Sequence, residues 1–121
     1  MSWFDNLDAI APLQLAEGIA ARVWGGERAA LAAIELAPGA VLPEHAHHNE
    51  QIGFLLRGSL SFRIGDELRE LGPGATWVVP PATPHEVRVG AQGALLFELF
   101  APPRLDWIGL PKLPPRADRD L

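Results

Sequence analysis

Short apolar segments, four to eight residues long, alternate with glycine and proline along most of the chain. Segments of this length with turn residues between them are typical of β-strands, because an amphipathic helix repeats its apolar positions over a longer span. Evenly spaced short strands predict an all-β sandwich or barrel. The predicted strands are Ile19–Trp24, Ala29–Leu36, Gln51–Leu56, Ser59–Ile64, Glu67–Leu71, Thr76–Val79, His85–Val89 and Leu95–Phe100.

One of these segments, "ERAALAAIEL", is ambiguous because its alanines suit a helix as well as a strand. We interpret it as a strand, since Gly25-Gly26 and Pro38-Gly39 bound it closely and its apolar run is continuous. The segment before residue 12 is expected to add a short helix or an edge strand. The last segment, "PPRLDWIGLPKLPPRADRDL", is rich in proline and predicts an extended tail over residues 102–121.

Composition limits the organisation and the partners of the protein. The 121 residues, 48% of them hydrophobic, predict one domain over residues 1–121 with its core at about residues 13–101. The net charge of -5 opposes nucleic-acid binding. The chain has no cysteine, so a metal site must use nitrogen and oxygen ligands. No segment approaches the about 20 apolar residues of a membrane span, and no signal peptide is visible, so we expect a cytoplasmic protein without a membrane partner.

The stretch "PEHAHHNEQIGF" contains three of the four histidines. In an extended chain, His45, His47 and Gln51 share one face of the strand, while Glu50 lies on the other. His85 opens a later strand, and its side chain would meet the first group if the sheet closes into a small barrel. This pattern predicts a metal site made by His45, His47, Gln51 and His85. Imidazole ligands favour a transition metal over calcium or magnesium.

Two alternatives remain open for this stretch. It could be a polar loop with no special chemistry, because two histidines one residue apart are common by chance. Glu50 could also replace Gln51 as the fourth ligand, if a bulge at His48-Asn49 shifts the alternation of the strand. We favour Gln51 on the alternation alone. His48 and Asn49 themselves are expected in a solvated turn.

Two longer stretches resemble the two sequence motifs of the cupin family. They are "GAVLPEHAHHNEQIGFLLRG", Gly39–Gly58, and "GATWVVPPATPH", Gly74–His85. The resemblance implies a single-domain antiparallel jelly-roll β-barrel, often dimeric, with a metal ion at its mouth. Two positions depart from the family pattern. Gln51 stands where many relatives carry glutamate, and Ala82 replaces a glycine, which costs energy if that residue needs a positive φ.

The glutamine has chemical consequences. A neutral amide oxygen leaves the full charge of a divalent ion uncompensated, so the ion should be a stronger Lewis acid than one bound by a glutamate. Iron oxygenases commonly use two histidines and a carboxylate, so dioxygen chemistry is less expected. We predict one divalent transition metal ion, with zinc or nickel favoured and with iron, manganese or copper also open.

A narrower resemblance is to the KdgF type of cupin, carried by "HAHHNEQIGFLLRG" and by "FELFAPPR", Phe97–Arg104. This type converts 4,5-unsaturated uronates into linear keto sugars. It uses three histidines and a glutamine on the metal, together with an aspartate, a phenylalanine and an arginine. The matching positions are Glu98, Phe100 and Arg104, and Glu98 is longer than the aspartate by one methylene group. The resemblance implies a small-molecule substrate, a carboxylated sugar, and an isomerase that opens its ring.

Each of these residues also has a plain structural interpretation: an edge glutamate, a core phenylalanine and a surface arginine. The functional interpretation assigns proton transfer to Glu98 and carboxylate binding to Arg104.

Two other functions compete with the uronate isomerase. One is a different metal enzyme, such as a dioxygenase or a small lyase acting on sulfonium carboxylates, and the other is a non-enzymatic cupin that binds a small molecule. The amino-terminal segment and the tail could pair or pack across a two-fold axis, so a homodimer is expected.

Overall fold

A computed structural model describes residues 2–114. It contains eight strands and two short 3-10 helices, Leu7–Ala9 and Leu105–Trp107. The strands are β1 (Leu13–Ala16), β2 (Ile19–Gly25), β3 (Ala30–Leu36), β4 (Val41–His45), β5 (Glu50–Ile64), β6 (Glu67–Leu71), β7 (Thr76–Val79) and β8 (His85–Ala101).

Every strand pair is antiparallel, and the long strands β5 and β8 each take part in two layers. One layer has the order β1-β2-β3-β8-β5-β7 and uses the last part of β8 with the first part of β5. The other has the order β4-β8-β5-β6 and uses the opposite ends of the two long strands. The predicted all-β, antiparallel jelly-roll architecture is confirmed, but β1 and β6 do not pair, so hydrogen bonds do not close the sheet into a complete barrel.

The core fills the space between the two layers because alternate residues of each strand point inward. Large inward side chains come from both layers, and the most buried include Leu55, Leu60, Val79 and Phe100. Apolar burial of this kind is the main favourable term in folding. Gln51, His85 and Glu98 are buried polar residues that interrupt this apolar interior, and they line one cavity together.

The observed strands differ from the predicted ones in two ways. The predicted pairs of strands around Gly58 and Gly90 are each one continuous strand, β5 and β8. Register shifts between Leu55 and Arg57 and between Gly58 and Leu60 let the long strands pass from one layer into the other without ending. In addition, β1 and β4 were not predicted. The ambiguous "ERAALAAIEL" segment is strand β3, as predicted.

The two ends of the described chain lie beside each other. Residues 7–9 form the short helix that was one of the two expectations for this segment. In the tail, Lys112 pairs with Leu13, so the tail extends the edge of β1. The remainder of the predicted tail, residues 115–121, lies outside the described residues. None of the helices in residues 2–114 is long and apolar enough to cross a membrane.

Candidate metal centre and active site

Three histidines from separate parts of the chain meet between the two layers. His45 ends β4 and is the register partner of His85, which begins β8. His47 lies in the loop after β4 and not on the strand, so the expected alternation along one strand is wrong at this position. One ring nitrogen from each histidine lies within 4.8 Å of the other two, in an arrangement that could hold a metal ion.

A backbone carbonyl group faces Nδ1 of all three rings. In each, Nδ1 is within hydrogen-bond distance of a carbonyl oxygen two residues away: His45 with Pro43 at 2.9 Å, His47 with Asn49 at 3.1 Å and His85 with Thr83 at 2.9 Å. A carbonyl oxygen only accepts, so we assign the proton to Nδ1. Nε2 of each ring then keeps its lone pair, which is the state that a metal ligand needs.

Two contacts test whether these residues fit a metal ion. Nε2 of His85 is buried and has no hydrogen-bond partner among residues 2–114. Nε2 of His47 lies 2.9 Å from Oε1 of Gln51, and in the assigned tautomer both atoms present lone pairs. A cation beside both atoms would turn this repulsion into attraction. Three imidazole nitrogens and an amide oxygen therefore fit a transition metal.

Electrostatics keeps two of the rings neutral. Burial lowers the pKa of His85 to about 4. Burial also lowers the pKa of His47, and the positive charge of Arg104 lowers it further. A ring below its usual pKa is unprotonated at neutral pH, and only this form binds a metal. Gln51 is 5% exposed and faces the rings, whereas Glu50 is exposed on the opposite side of β5.

Glu98 lies beside the cluster, on the same inner face of β8 as Phe100. Its Oε2 accepts hydrogen bonds from the Gln51 side-chain amide and from Nε1 of Trp77, the latter at 2.8 Å. Burial raises the pKa of Glu98 to about 7, although the two hydrogen bonds and the charge of Arg104 act in the opposite direction. A carboxyl group with this pKa can give or take a proton near neutral pH.

Arg104 follows the end of β8 and is held on three sides. Its guanidinium lies 5.2 Å from the ring centroid of Phe100 and 4.5 Å from that of Trp107. Nε and Nη2 donate to the two carboxylate oxygens of Asp106 at 2.8 and 2.7 Å. This hydrogen bonding lowers the pKa of Asp106. The guanidinium group of Arg104 was expected to bind a substrate carboxylate. It already binds the carboxylate of Asp106, which belongs to the chain itself.

A cavity of about 250 Å³ joins these groups. The polar and charged residues of its lining are His45, Gln51, His85, Glu98, Arg104 and Asp106. Apolar side chains, among them Phe62, Phe100 and Trp107, form the rest of its wall. A larger depression of about 640 Å³ lies on the outer surface and contains none of the histidines. The structure thus brings together every residue that the sequence assigned to the site, with His47 beside the cavity.

Sequence reasoning missed three contributors. Asn49, expected in a solvated turn, is 1% exposed and donates to the carbonyl oxygens of Pro102 and Pro103. Trp77 was assigned no role in the site, but its N–H donates to Glu98. Asp106 was not considered at all. Its position two residues after Arg104 was the available signal, because an acid so close to an arginine often pairs with it.

Comparisons with known proteins agree with this geometry. An RmlC-like cupin from Shewanella frigidimarina aligns with a TM-score of 0.82 and 20% identity over 89% of this chain and 97% of its own. KdgF from Halomonas sp. aligns with a TM-score of 0.78 and 26% identity over 89% and 99%. The polyketide cyclase RemF from Streptomyces resistomycificus aligns with a TM-score of 0.72 and 24% identity over 85% and 83%. No curated protein sequence matches the chain significantly.

The family model for the cupin domain matches residues 32–100, which begin inside β3 and include all but the last residue of β8. This range contains both of the stretches that resemble the cupin motifs, and the structure resembles KdgF as well as other cupins. The protein therefore belongs to the cupin family.

Proposed function

We propose that the protein is a metal-dependent enzyme that converts 4,5-unsaturated uronates into linear keto sugars. The observation that carries the proposal is a single cavity lined by three kinds of group: two histidines of the cluster, a carboxyl group with a pKa of about 7, and an arginine. The likeness to KdgF from Halomonas, and the sequence resemblance to that type of cupin, support this substrate class.

The metal would be held by His45, His47, His85 and Gln51, and when bound it would supply Lewis-acid stabilisation of negative charge on substrate oxygen. The protein's own residues would do the rest. Oε2 of Glu98 is occupied by Gln51 and Trp77, and none of the described residues hydrogen-bonds to Oε1. Oε1 would therefore move the proton during tautomerisation and ring opening.

Arg104 would orient the acid group of the substrate. Asp106 binds Nε and Nη2, so the substrate carboxylate would use Nη1 or displace Asp106. Phe100 and Trp107 contact the guanidinium through their rings and give the cavity an apolar wall, which would exclude water from part of the substrate.

The test is turnover of purified, metal-loaded protein with unsaturated galacturonate or guluronate, followed by the loss of enol-ether absorbance. Turnover above buffer is expected, and Glu98→Gln should remove it because an amide cannot exchange the proton. Arg88→Lys, on the exposed face of β8, is the matched control. A rate equal to buffer with the metal loaded would contradict the proposal; tight ligand binding without turnover would indicate a binding module instead.

A homodimer is part of the proposal. On the outer face of the larger sheet, Leu31, Ile52, Phe54 and Val78 are 38–54% exposed. Glu98, which points inward, is the one charged residue that lines the depression there, so two copies of this acidic chain could meet without opposing charges. Sedimentation should show a dimer, and Val78→Lys should convert it to a monomer. A monomer alone at micromolar concentration would contradict this part.

A further inference from the structure

The side chain of Gln51 connects the histidine cluster with two buried residues behind it. Its Oε1 lies 2.9 Å from Nε2 of His47, and its Nε2 donates to Oε2 of Glu98. The same Oε2 accepts from Nε1 of Trp77 at 2.8 Å. Gln51, Trp77 and Glu98 are 5%, 6% and 7% exposed, so water does not compete freely for these bonds.

The direction of this chain of hydrogen bonds follows from donor chemistry. An indole N–H only donates, so Oε2 of Glu98 must accept from Trp77. When the carboxyl group is ionised, or carries its proton on Oε1, Oε2 has only lone pairs and also accepts from its second neighbour, the side-chain amide of Gln51. The amide nitrogen of Gln51 therefore faces Glu98, and its oxygen faces the histidines.

Small residues on the neighbouring strands leave space for the contact between Glu98 and Trp77. Glu98 is the register partner of Ala32 on β3 and of Gly53 on β5, so small residues flank it on both sides. A Cβ atom at position 53 would lie 2.6 Å from Nε1 of Trp77. Glycine at this position leaves space for the indole to lie over β5 with its N–H directed at Glu98.

We propose that Glu98 and Trp77 are positioning residues for the metal ion, because they hold the Gln51 amide with its oxygen toward the histidine Nε2 atoms. This inference rests on the metal-binding part of the proposed function. It also explains the departure from the family pattern at position 51. A glutamate there would present an acceptor oxygen to Oε2 of Glu98, whereas the amide supplies the donor that Oε2 needs.

The experiment measures zinc affinity of the full chain by competition with a chromophoric chelator. Glu98→Met removes the acceptor and should weaken zinc binding about 10-fold or more, as loss of an outer hydrogen-bond partner does in other metal sites. Glu98→Gln keeps an acceptor oxygen and should stay within about threefold of wild type. In a Gln51→Ala background, Glu98→Met should have no further effect, because its action passes through Gln51.

Three results would overturn the inference: unchanged affinity in Glu98→Met, equal weakening in Glu98→Gln and Glu98→Met, or a loss that persists without Gln51. If Glu98→Met does not fold, Trp77→Phe provides the same test, with a weakening of at least about threefold that disappears in the Gln51→Ala background. Zinc binding with the expected pattern but no uronate turnover would contradict the proposed reaction alone. Wild-type protein that binds no zinc would contradict both.

Discussion

The guanidinium of Arg104 combines two cation–π contacts, with Phe100 and Trp107, and a two-pronged ion pair to Asp106. The two-pronged pair depends on a planar group with several donors, which lysine does not have. The 9% exposure of the Arg104 side chain means that little of its charge is screened by solvent. Its charge also lowers the pKa of His47. A single side chain after the end of β8 thus acts on His47 electrostatically and, in the proposed function, also positions the substrate.

We predict that Arg104→Lys raises KM for an unsaturated uronate about 10-fold or more, which corresponds to about 1.4 kcal/mol of lost binding. The reason is that one ammonium group cannot hold Asp106 and a substrate carboxylate in fixed orientations together. Because Glu98 is unchanged, kcat should fall less than kcat/KM. Steady-state kinetics measures this, and an unchanged KM would show that Arg104 does not bind the acid group.

At the scale of elements, Asn49 joins the loop that carries His47 to the segment that follows β8. Its Nδ2 lies 2.6 Å from the carbonyl oxygen of Pro102 and 3.3 Å from that of Pro103. We predict that Asn49→Ala lowers the free energy of unfolding by about 1–3 kcal/mol, because partly buried acceptors lose their donor. His48→Ala, the exposed neighbour, should change it by less than about 0.5 kcal/mol. Chemical denaturation that gives equal values for the two variants would contradict this role.

The turn between β7 and β8 contains the one non-glycine residue with a positive φ among the described residues. Ala82 has φ of 60° and donates its N–H to the carbonyl oxygen of His47 at 2.7 Å. We predict that Ala82→Gly raises the free energy of unfolding by roughly 0.5–1 kcal/mol, since relief of left-handed strain exceeds the entropy cost of glycine. Ala91→Gly, at an exposed strand position without positive φ, should lower it. A loss of stability in Ala82→Gly would refute the argument.

The sequence predicted most strands because alternation and turn residues are local signals. It missed β4 because Pro43 interrupts the pattern, yet β4 pairs with β8 alone, and proline is tolerated on an edge strand. The prediction divided β5 at Gly58 because glycine is a common turn residue. In the structure Gly58 has φ of 85° and lies at an irregularity in a continuous strand. Bulges depend on pairing with a partner strand, which local patterns do not contain.

At the scale of the whole molecule, the site is a product of long-range register. The pairing of His45 with His85 joins residues 40 positions apart, and that of Gly53 with Glu98 joins residues 45 apart. The histidines were predictable because their spacing matches a known family motif. The contact of Glu98 with Trp77 was not, since it follows from which strands are adjacent.

The central claim is that His45, His47, His85 and Gln51 hold one transition metal ion between the two layers. The most direct measurement is elemental analysis of protein purified without chelator, for the wild type, His85→Ala and the matched control His48→Ala, whose side chain is exposed beside the cluster. We predict about one metal ion per chain in the wild type and in His48→Ala, and loss of the ion in His85→Ala. Equal metal content in all three proteins, or none in the wild type, would contradict the account.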